Sequence, residues 1–325
     1  MVAVPNGGGG RSALSVDSRR RATAIFCFAL IYLVWGSTYL TTKIGVRTLP
    51  PFMFGGARFL IGGLLLYGLV CILRARRGEP PPKPTRSDWR HLAIVGFVGV
   101  FASNGGNVWG VQHLASNQAA LLNVSATFWI ALLGTFGKRA HPLSSRAALG
   151  LAVGFVGTAL IAWPSQGWAA LTDTTSSAVG AGTLAVLFAC FNWAVATNYL
   201  RNVETTLDVM TFTGLQMIIG GALLISAGLL TGEGQAWNWN PIGLAMLAYM
   251  TIFSSCLAYT AYGWLSVNMT PAQVSTYAFV NPAVATLLGW WVLDEHLSVA
   301  QGTGMAVILG AMLLVNWPAA QDSAR

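Results

Sequence analysis

Charged side chains are scarce in this sequence. Lys, Arg, Asp and Glu together make up 9% of the 325 residues, whereas hydrophobic residues make up 54%. An ordinary soluble domain carries roughly 25% charged residues. The scarcity therefore excludes such a domain and favours a chain that lies largely within a membrane.

Acidic residues are missing from the interior of the apolar runs. All ten Asp and Glu, from Asp17 to Asp322, fall in predicted loops or at predicted helix ends. A carrier that couples transport to protons through a buried acid needs a carboxylate within the membrane. We therefore expect no coupling of this kind, and no anionic group to receive a permanently cationic substrate. Facilitated diffusion, exchange, or coupling through another group such as His113 remain open.

Signatures of catalysis and of metal binding are also absent. The chain has no G-x-S-x-G, no H-E-x-x-H and no P-loop, and its four histidines have no ligand spacing. Its four cysteines are isolated within apolar runs, where thiols behave as small hydrophobic groups. A membrane enzyme would need a nucleophile with a base, a metal cluster or a carboxylate pair. We expect no enzyme activity and no cofactor or metal.

Long apolar runs are what the sequence has instead. A hydrocarbon core about 30 Å thick needs about 20 residues of helix to cross it. The runs are continuous rather than alternating, which predicts helices and not the strands of a barrel. We predict an all-α integral membrane protein whose ten transmembrane helices lie at residues 22–42, 52–73, 91–112, 116–137, 146–163, 178–200, 208–230, 241–264, 271–292 and 299–317.

The two halves of the chain repeat each other. A single offset of 158 carries Trp35 to Trp193 and Arg58 to Gln216, within runs that end on a glycine pair. Because each half has an odd number of crossings, the second half must enter the membrane from the opposite side, as in the inverted repeats of secondary transporters. The predicted parts are a disordered cytoplasmic tail at 1–21, a first repeat of five helices at 22–163, a second at 178–317 and a cytoplasmic tail at 318–325.

Basic residues set the predicted orientation. If the N-terminus is cytoplasmic, the outer side holds only Lys43 and Arg47, and nearly all other Lys and Arg face the cytoplasm. Both termini are therefore expected in the cytoplasm. The formal net charge of +8 then reflects topology rather than nucleic-acid binding, because basic residues are not interleaved with exposed aromatics. The run after Arg19, Arg20 and Arg21 is interpreted as a retained first helix, since no small-residue cleavage site closes it.

Several segments resemble a known family. YLVWGSTYLTTKIG followed by ARFLIGGLLL, and the Asn-Pro pair at 281–282 followed by GWWVLDEHLS, are similar to the EamA family of the drug/metabolite transporter superfamily. The likeness covers residues 22–317. It implies a bacterial inner-membrane carrier; many members export amino acids or other small metabolites. The first half departs from the family pattern, because Gly137-Lys138-Arg139 lacks the acidic turn and Ala126 stands where the second half has Pro282.

The resemblance implies that helices one, three, four, six, eight and nine line a central cavity. Polar side chains within a membrane are costly unless they face water or a partner. The alternative is that each Asn bonds a neighbouring helix, at about 1 kcal/mol or less, and that the deep tryptophans fill the core. The candidate substrate-binding residues on those helices are Trp35, Thr38, Asn104, Asn107, Asn123, Trp129, Asn192, Trp193, Tyr259, Tyr262, Tyr277 and Asn281.

Two cations and one proline complete the candidates. Lys43, at the outer end of the first helix, is either a substrate-binding cation or a membrane anchor. Arg58 lies inside the second helix, which is not expected to line the cavity, and is either a snorkelling side chain or the counter-charge for a substrate carboxylate or phosphate. Pro282 removes a backbone donor inside the ninth helix and is predicted to act as a gating hinge.

A secondary transporter is the function that these observations favour. We expect it to move small neutral or zwitterionic metabolites, above all amino acids, out across the inner membrane by alternating access, as a uniporter or exchanger. A flippase or a carrier of phosphorylated or lipid-linked substrates is the first alternative, and a membrane enzyme a distant one. The expected partners are a small-molecule substrate and the lipid bilayer, without nucleic acid, and the expected state is a monomer.

Overall fold

Ten helices make up the part of the chain that the structure describes. The structure is a computed structural model and describes residues 9–137, 144–162, 174–269, 274 and 276–316. None of these residues forms a β-strand, which confirms the predicted all-α class. The helices are α1 (Gly9–Leu30, Ile31–Trp35 and Gly36–Gly45), α2 (Pro51–Arg76), α3 (Arg86–Val95, Gly96–Asn104 and Gly105–Val111), α4 (Ser116–Asn123 and Ser125–Leu133), α5 (Ser145–Ala162), α6 (Thr174–Arg201), α7 (Val209–Leu230), α8 (Pro241–Tyr249, Met250–Ala258 and Tyr259–Asn268), α9 (Tyr277–Leu293) and α10 (Val299–Asn316).

Most of these helices are long and apolar enough to cross a membrane. Seven of them meet that condition over the described residues, and α9 and α10 add shorter apolar segments at Val280–Leu293 and Val299–Leu314. The helices follow the predicted order throughout. The predicted boundaries at Trp163, Pro271 and Trp317, and the tail at 318–325, lie outside the described residues.

The first helix begins earlier than predicted. It starts at Gly9, so that residues 9–21 are helical, whereas the sequence predicted a disordered tail there. The physical reason is that residues 11–21 contain no Gly or Pro, and their Ala, Leu and Arg residues favour helix. The glycine-rich stretch alone misled the prediction.

The fourth helix is broken, although one continuous helix was predicted. The break lies at Val124, whose N–H bonds the Leu121 carbonyl at 3.2 Å. Asn123 donates its side-chain amide to the Ala119 carbonyl, and the Thr127 hydroxyl donates to the Val124 carbonyl. Side chains that bond the nearby backbone compete with the regular helical ladder in this way. The helix therefore tightens and ends locally without a proline.

Helices α2 and α7 pack through glycines. A Cβ added at Gly63 would lie 2.6 Å from the Gly214 carbonyl oxygen, and one added at Gly221 would lie 3.0 Å from the Gly56 carbonyl oxygen. Small residues allow such close approach of helix backbones within membranes. Gly56 meets Gly221 whereas Gly63 meets Gly214, so the two helices run antiparallel.

The same contacts are reciprocal between the two halves. Gly56 and Gly214 are 158 residues apart, as are Gly63 and Gly221, so exchanging each residue for its repeat counterpart reproduces both pairs. Reciprocal contacts of this kind are typical of a two-fold relation. Antiparallel packing of corresponding helices is the arrangement that an inverted repeat requires. Helices α5 and α10 are also antiparallel, since Gly157 approaches Ile308 and Gly304 approaches Ile161.

Three helices contain π-helical segments. The segment at Gly96–Asn104 in α3 and the segment at Met250–Ala258 in α8 both have nine residues and begin 154 positions apart, so they are counterparts in the two halves. The third, Ile31–Trp35, lies in α1. Such segments turn the side chains that follow them and frequently occur at functional sites.

Carboxylates at the helix ends tie neighbouring elements together. Asp88 at the start of α3 accepts hydrogen bonds from the hydroxyls of Thr205 and Thr206, both at 2.7 Å, in the connection between α6 and α7. Glu295 after α9 accepts from the backbone N–H and the hydroxyl of Ser116 at 2.8 and 2.7 Å, at the start of α4. The Glu295 bond to the Ser116 N–H satisfies a donor that a helix start leaves without an intrahelical partner, and the Asp88 bonds attach α3 to the connection before α7.

Candidate substrate cavity

A cavity with about 130 Å³ of room for water lies between the two halves. Its walls come from α1, α2, α3 and α4 of the first half and from α6, α8 and α9 of the second. The six helices expected to line a central cavity all contribute, and α2 is an addition. The predicted residues that the structure brings together there are Trp35, Thr38, Asn104, Asn107, Asn123, Trp193, Tyr259, Tyr277, Asn281 and Pro282.

An aromatic cluster forms one side of the cavity. We use this name for Trp35, Trp193, Tyr259, Tyr262 and Tyr277. The Trp35 ring centroid lies 5.5 Å from that of Tyr259, 5.1 Å from that of Tyr262 and 5.4 Å from that of Tyr277. Trp193 meets Tyr259 edge-on at 6.2 Å. The two tryptophans that the repeat places at equivalent positions thus converge on Tyr259, although Tyr262 supports the cluster from behind and does not line the cavity.

The first-half asparagines form a second, polar side. Asn123 donates its side-chain amide to Asn107 Oδ1 at 3.3 Å, which links α4 to α3. Asn104 Nδ2 donates to the Gly99 carbonyl at 2.9 Å within the π-helical segment of α3. Both predicted alternatives therefore apply, because these asparagines bond neighbouring groups and also line the cavity.

Asn281 lies on α9 and is buried. With its amide oriented to satisfy its surroundings, its nitrogen donates to the carbonyls of Tyr277 and Tyr32, each at 3.2 Å. The second of these bonds joins α9 to the π-helical segment of α1. Asn281 therefore holds the two helices that carry Trp35 and Tyr277.

Besides Tyr262, three predicted residues lie outside the cavity. Trp129 faces the other way, with edge-on ring contacts to Phe155 of α5 at 4.8 Å and Phe191 of α6 at 5.2 Å. Asn192 donates back to the Phe188 carbonyl on its own helix. The prediction that these two side chains line the cavity is wrong. The position of a residue around the helix axis fixes which face it occupies, and its depth in the membrane does not.

Lys43 is the third. Its Nζ donates to the carbonyls of Val111 at 3.1 Å and Gln112 at 2.9 Å, at the C-terminal end of α3. A cation at this end of a helix meets carbonyls without intrahelical partners and the negative end of the helix dipole. Lys43 therefore ties α1 to α3 and does not face the cavity.

Arg58 lines the cavity although the sequence analysis did not expect it to. The second helix was not expected to line the cavity, yet Arg58 does so and is only 5% exposed. Its Nε donates to Ser255 Oγ at 2.9 Å and its Nη2 to Ser254 Oγ at 3.5 Å, and both serines lie in the π-helical segment of α8. The sequence did contain a signal for this residue, namely a single charge within an apolar run. It did not show that the side chain points toward the cavity.

Further polar residues at the cavity escaped sequence reasoning. Tyr39 and Thr42 follow Trp35 at helical spacing, and Thr127 follows Asn123 by one turn, so spacing could have found them. Ser103 and Ser254 lie in π-helical segments, which no sequence signal here predicted. The additional residues are Tyr39, Thr42, Ser103, Thr127 and Ser254.

The chemistry of the cavity is that of a polar and aromatic site with one cation. No Asp or Glu among the described residues lines it. Over the same part of the chain, no group of three or more His, Cys, Asp or Glu is placed to hold a metal ion. The site can therefore offer amide and hydroxyl hydrogen bonds, aromatic faces and a guanidinium group.

An apolar cavity of about 380 Å³ lies next to the central one, against α4, α9 and α10. Val124 and Pro282 line both cavities and form the wall between them. The break of α4 and the proline of α9 thus occupy the same wall. Side chains that have free space on both sides are less constrained by packing than core residues are.

Long apolar helices arranged in two halves around a polar and aromatic cavity indicate a multi-pass membrane transporter. The model of the EamA-like transporter family matches residues 22–163 and residues 180–317. The chain belongs to this family and carries the EamA unit twice.

Relatives with similar sequences carry transporter names. The uncharacterized inner membrane transporter YedA of Escherichia coli (strain K12) is 32% identical over 291 residues, which cover 89% of each chain. An uncharacterized transporter of Archaeoglobus fulgidus is 27% identical and covers 89% of this chain and 95% of its own. A solved crystal structure with 18% identity has a TM-score of 0.60 and covers 90% of this chain and 96% of that chain, which shows a shared fold.

Proposed function

We propose that this transporter moves amino acids or similar zwitterionic metabolites by alternating access at the central cavity. The observation that carries the proposal is the combination of an aromatic cluster, several amides and Arg58 around one cavity between the halves. Amino acids present a carboxylate, an ammonium group and a side chain, and the lining offers a group suited to each. The size of the cavity fits a small metabolite and no polymer.

Export is the proposed direction, with both termini in the cytoplasm. The direction follows what the family resemblance implies, and the orientation is supported by the distribution of basic residues, since only Lys43 and Arg47 would lie on the outer side. Fusions of a phosphatase or fluorescent reporter to the two ends and to the connection at 231–240 test this orientation. Cytoplasmic reporter activity at both ends and periplasmic activity at 231–240 are the expected results, and the reverse pattern contradicts the proposal.

Uniport or exchange is the proposed energetic mode. The cavity is lined by no carboxylate of the described residues that could carry a proton. His113, at the outer end of α3, was the other candidate. Burial, and then the Lys43 ammonium, lower the pKa of His113, which disfavours its protonated form. A monomer suffices for this mode, because both halves of the site belong to one chain.

A carrier or flippase of phosphorylated or lipid-linked substrates is the second candidate. The apolar cavity beside Pro282 is the observation that favours it, since such a space could hold an acyl chain while the central cavity holds a polar group. Val124 and Pro282 lie between the two spaces. We therefore rank this candidate below amino-acid transport.

Uptake into liposomes that contain the purified protein tests the proposal. Labelled amino acids are screened one by one, with and without an imposed proton gradient. We expect saturable uptake of at least one amino acid at a rate that the gradient does not change. Uptake only with the gradient would contradict uniport and exchange, and uptake of phosphorylated or lipid-like compounds alone would favour the second candidate.

A further inference from the structure

Arg58 is a buried cation without a counter-ion in the described structure. Its side chain is 5% exposed, and its hydrogen bonds go to two neutral serine hydroxyls. The described ion pairs, Arg74 with Glu79 and His296 with Asp294, do not involve it. A buried charge is costly unless a charge or several hydrogen bonds compensate it, so burial here requires a reason.

The contacts of Arg58 offset only part of the cost of burying its charge. The guanidinium carbon lies 4.2 Å from the centroid of the Phe59 ring, a favourable contact for a cation. The Ser255 hydroxyl takes the Nε donor, and the bond from Nη2 to Ser254 is long at 3.5 Å. A guanidinium group has five N–H donors, and Nη1 makes no hydrogen bond to a described residue. Donor capacity thus remains at the cavity.

The equivalent residue of the second half shows that the charge is not required by the helix pair. The offset of 158 carries Arg58 to Gln216, which is also buried but neutral and lies outside the cavity. Both residues lie on the helices that pack through the glycine contacts of α2 and α7. The fold thus accepts a neutral amide at this position, and of the two equivalent residues only the one that lines the cavity is a cation.

We infer that Arg58 binds the carboxylate of the transported substrate. A guanidinium group matches a carboxylate with two parallel N–H donors, and the serine pair Ser254 and Ser255 orients the group. The substrate ammonium then lies toward the aromatic cluster, which can stabilise a cation through its ring faces. This inference rests on the proposed function and adds the requirement for a negatively charged oxygen group on the substrate.

Ligand binding by the purified full-length protein tests the inference. Thermal unfolding is followed by scanning fluorimetry with four probes: L-leucine, 4-methylpentanoate without an amine, 3-methylbutylamine without a carboxylate, and inorganic phosphate. We expect stabilisation by L-leucine and by 4-methylpentanoate, and none by 3-methylbutylamine. Stabilisation by the amine alone would overturn the inference without any variant.

Variants then locate the effect. Arg58→Gln introduces the residue type that the second half has at the equivalent position 216. It should weaken the apparent affinity for L-leucine and for 4-methylpentanoate at least tenfold. Arg58→Lys keeps the charge without the planar fork and should bind more weakly than the native protein but better than Arg58→Gln. Arg47→Gln removes an exposed cation of the same half and should bind as the native protein does.

The outcomes separate this inference from the proposed function. Equal binding of L-leucine by the native protein and Arg58→Gln overturns the carboxylate role and leaves amino-acid transport standing. Binding of phosphate or 4-methylpentanoate without any amino acid supports the anion role of Arg58 and contradicts amino-acid transport. If Arg58→Gln does not fold, the probe series on the native protein and on Arg58→Lys decides.

Discussion

The first half of the chain contains two tryptophans far from its helix ends, and their surroundings differ. Trp35 packs against three tyrosines and lines the central cavity, whereas Trp129 packs against two phenylalanines of α5 and α6 outside it. Both are partly buried. The pair therefore separates the effect of lost packing from the effect of a lost ligand contact.

Shortening these two side chains should change different quantities. Trp35→Phe should raise the KM for transported amino acid severalfold, because it removes aromatic surface and the indole N–H from the cavity. Trp129→Phe should leave KM unchanged. Both variants should lower the thermal stability, and by similar amounts, because each loses aromatic packing. Uptake kinetics and unfolding temperatures of both variants provide the measurement. An equal KM for the two variants would contradict the assignment of Trp35, but not Trp129, to the substrate cavity.

Glu295 illustrates a different residue role, away from the cavity. Its carboxylate accepts from the Ser116 N–H, the Ser116 hydroxyl and the Asn117 N–H at 2.7 to 3.1 Å, at the start of α4. The neighbouring Asp294 has a side chain that is 90% exposed. One carboxylate of this turn is thus structural, and the other faces outward.

Removal of each charge should show this contrast. Glu295→Gln replaces one acceptor oxygen by a donor and leaves a buried donor unsatisfied, which should cost about 1–3 kcal/mol of stability. Asp294→Asn should cost nothing measurable, because Asn also tolerates the positive φ of 56° at this position. Unfolding temperatures in detergent provide the comparison, and equal values for the two variants would be the contrary result.

At the scale of elements, glycine placement decides how closely helices approach. Within α2, a Cβ at Gly63 would meet the backbone of α7 at 2.6 Å, whereas a Cβ at Gly68 would meet no atom within 4 Å. Both glycines lie in the same helix and differ only in what faces them. Helix propensity is therefore matched between them, and packing is not.

Alanine at each position should separate these effects. Gly63→Ala must push α2 and α7 apart and should lose about 1–3 kcal/mol, as overpacked sites do. Gly68→Ala should be neutral or gain up to about 1 kcal/mol, because alanine favours helix over glycine. The yield and the unfolding temperature of the purified variants provide the readout. A stable Gly63→Ala protein with native unfolding would contradict the described helix contact.

Pro282 is the other element-scale feature. It lies inside α9, in the wall between the central and the apolar cavities. Its equivalent in the first half is close to Val124, where α4 breaks without a proline. The first half thus interrupts a helix at the wall of the cavity, whereas the second half has a proline there within a continuous helix.

Restoring the backbone donor of α9 should slow transport. Pro282→Ala allows the N–H to bond the Ala278 carbonyl, which should stiffen the helix and lower the transport rate severalfold at unchanged protein abundance. Pro241→Ala is the control, because a proline at the start of α8 removes no intrahelical bond. Rates equal to the native rate in Pro282→Ala would exclude the hinge.

For the whole molecule, periodicity and repetition carried most of the prediction. Ten helices and their order followed from apolar runs, and the offset of 158 between halves recurs in the contacts between Gly56 and Gly221 and between Gly63 and Gly214. Lengths and offsets of this kind are local properties that the sequence contains directly. The boundary at Gly9 failed because helix-forming residues follow the glycine-rich stretch, and the break at Val124 was missed because side-chain bonds to the backbone decide it.

The site was predicted less completely than the fold. Depth in a helix and residue type located most of the aromatic cluster and the asparagines, but they also selected Trp129 and Asn192, which face away from the cavity. The direction of a side chain depends on the rotation of its helix, and the π-helical segments alter that rotation by an amount that the sequence pattern does not contain. Arg58 was misplaced because the resemblance left its helix out of the cavity wall.

Counterflow through reconstituted protein tests the central claim most directly. Liposomes loaded with unlabelled amino acid are placed in dilute labelled amino acid without any ion gradient. Alternating access at one cavity predicts transient accumulation of the label above its equilibrium level, inhibited by 4-methylpentanoate but not by 3-methylbutylamine. Two results would contradict the account. One is that the label never exceeds the level in protein-free liposomes for any amino acid, and the other is that it accumulates only with a proton gradient.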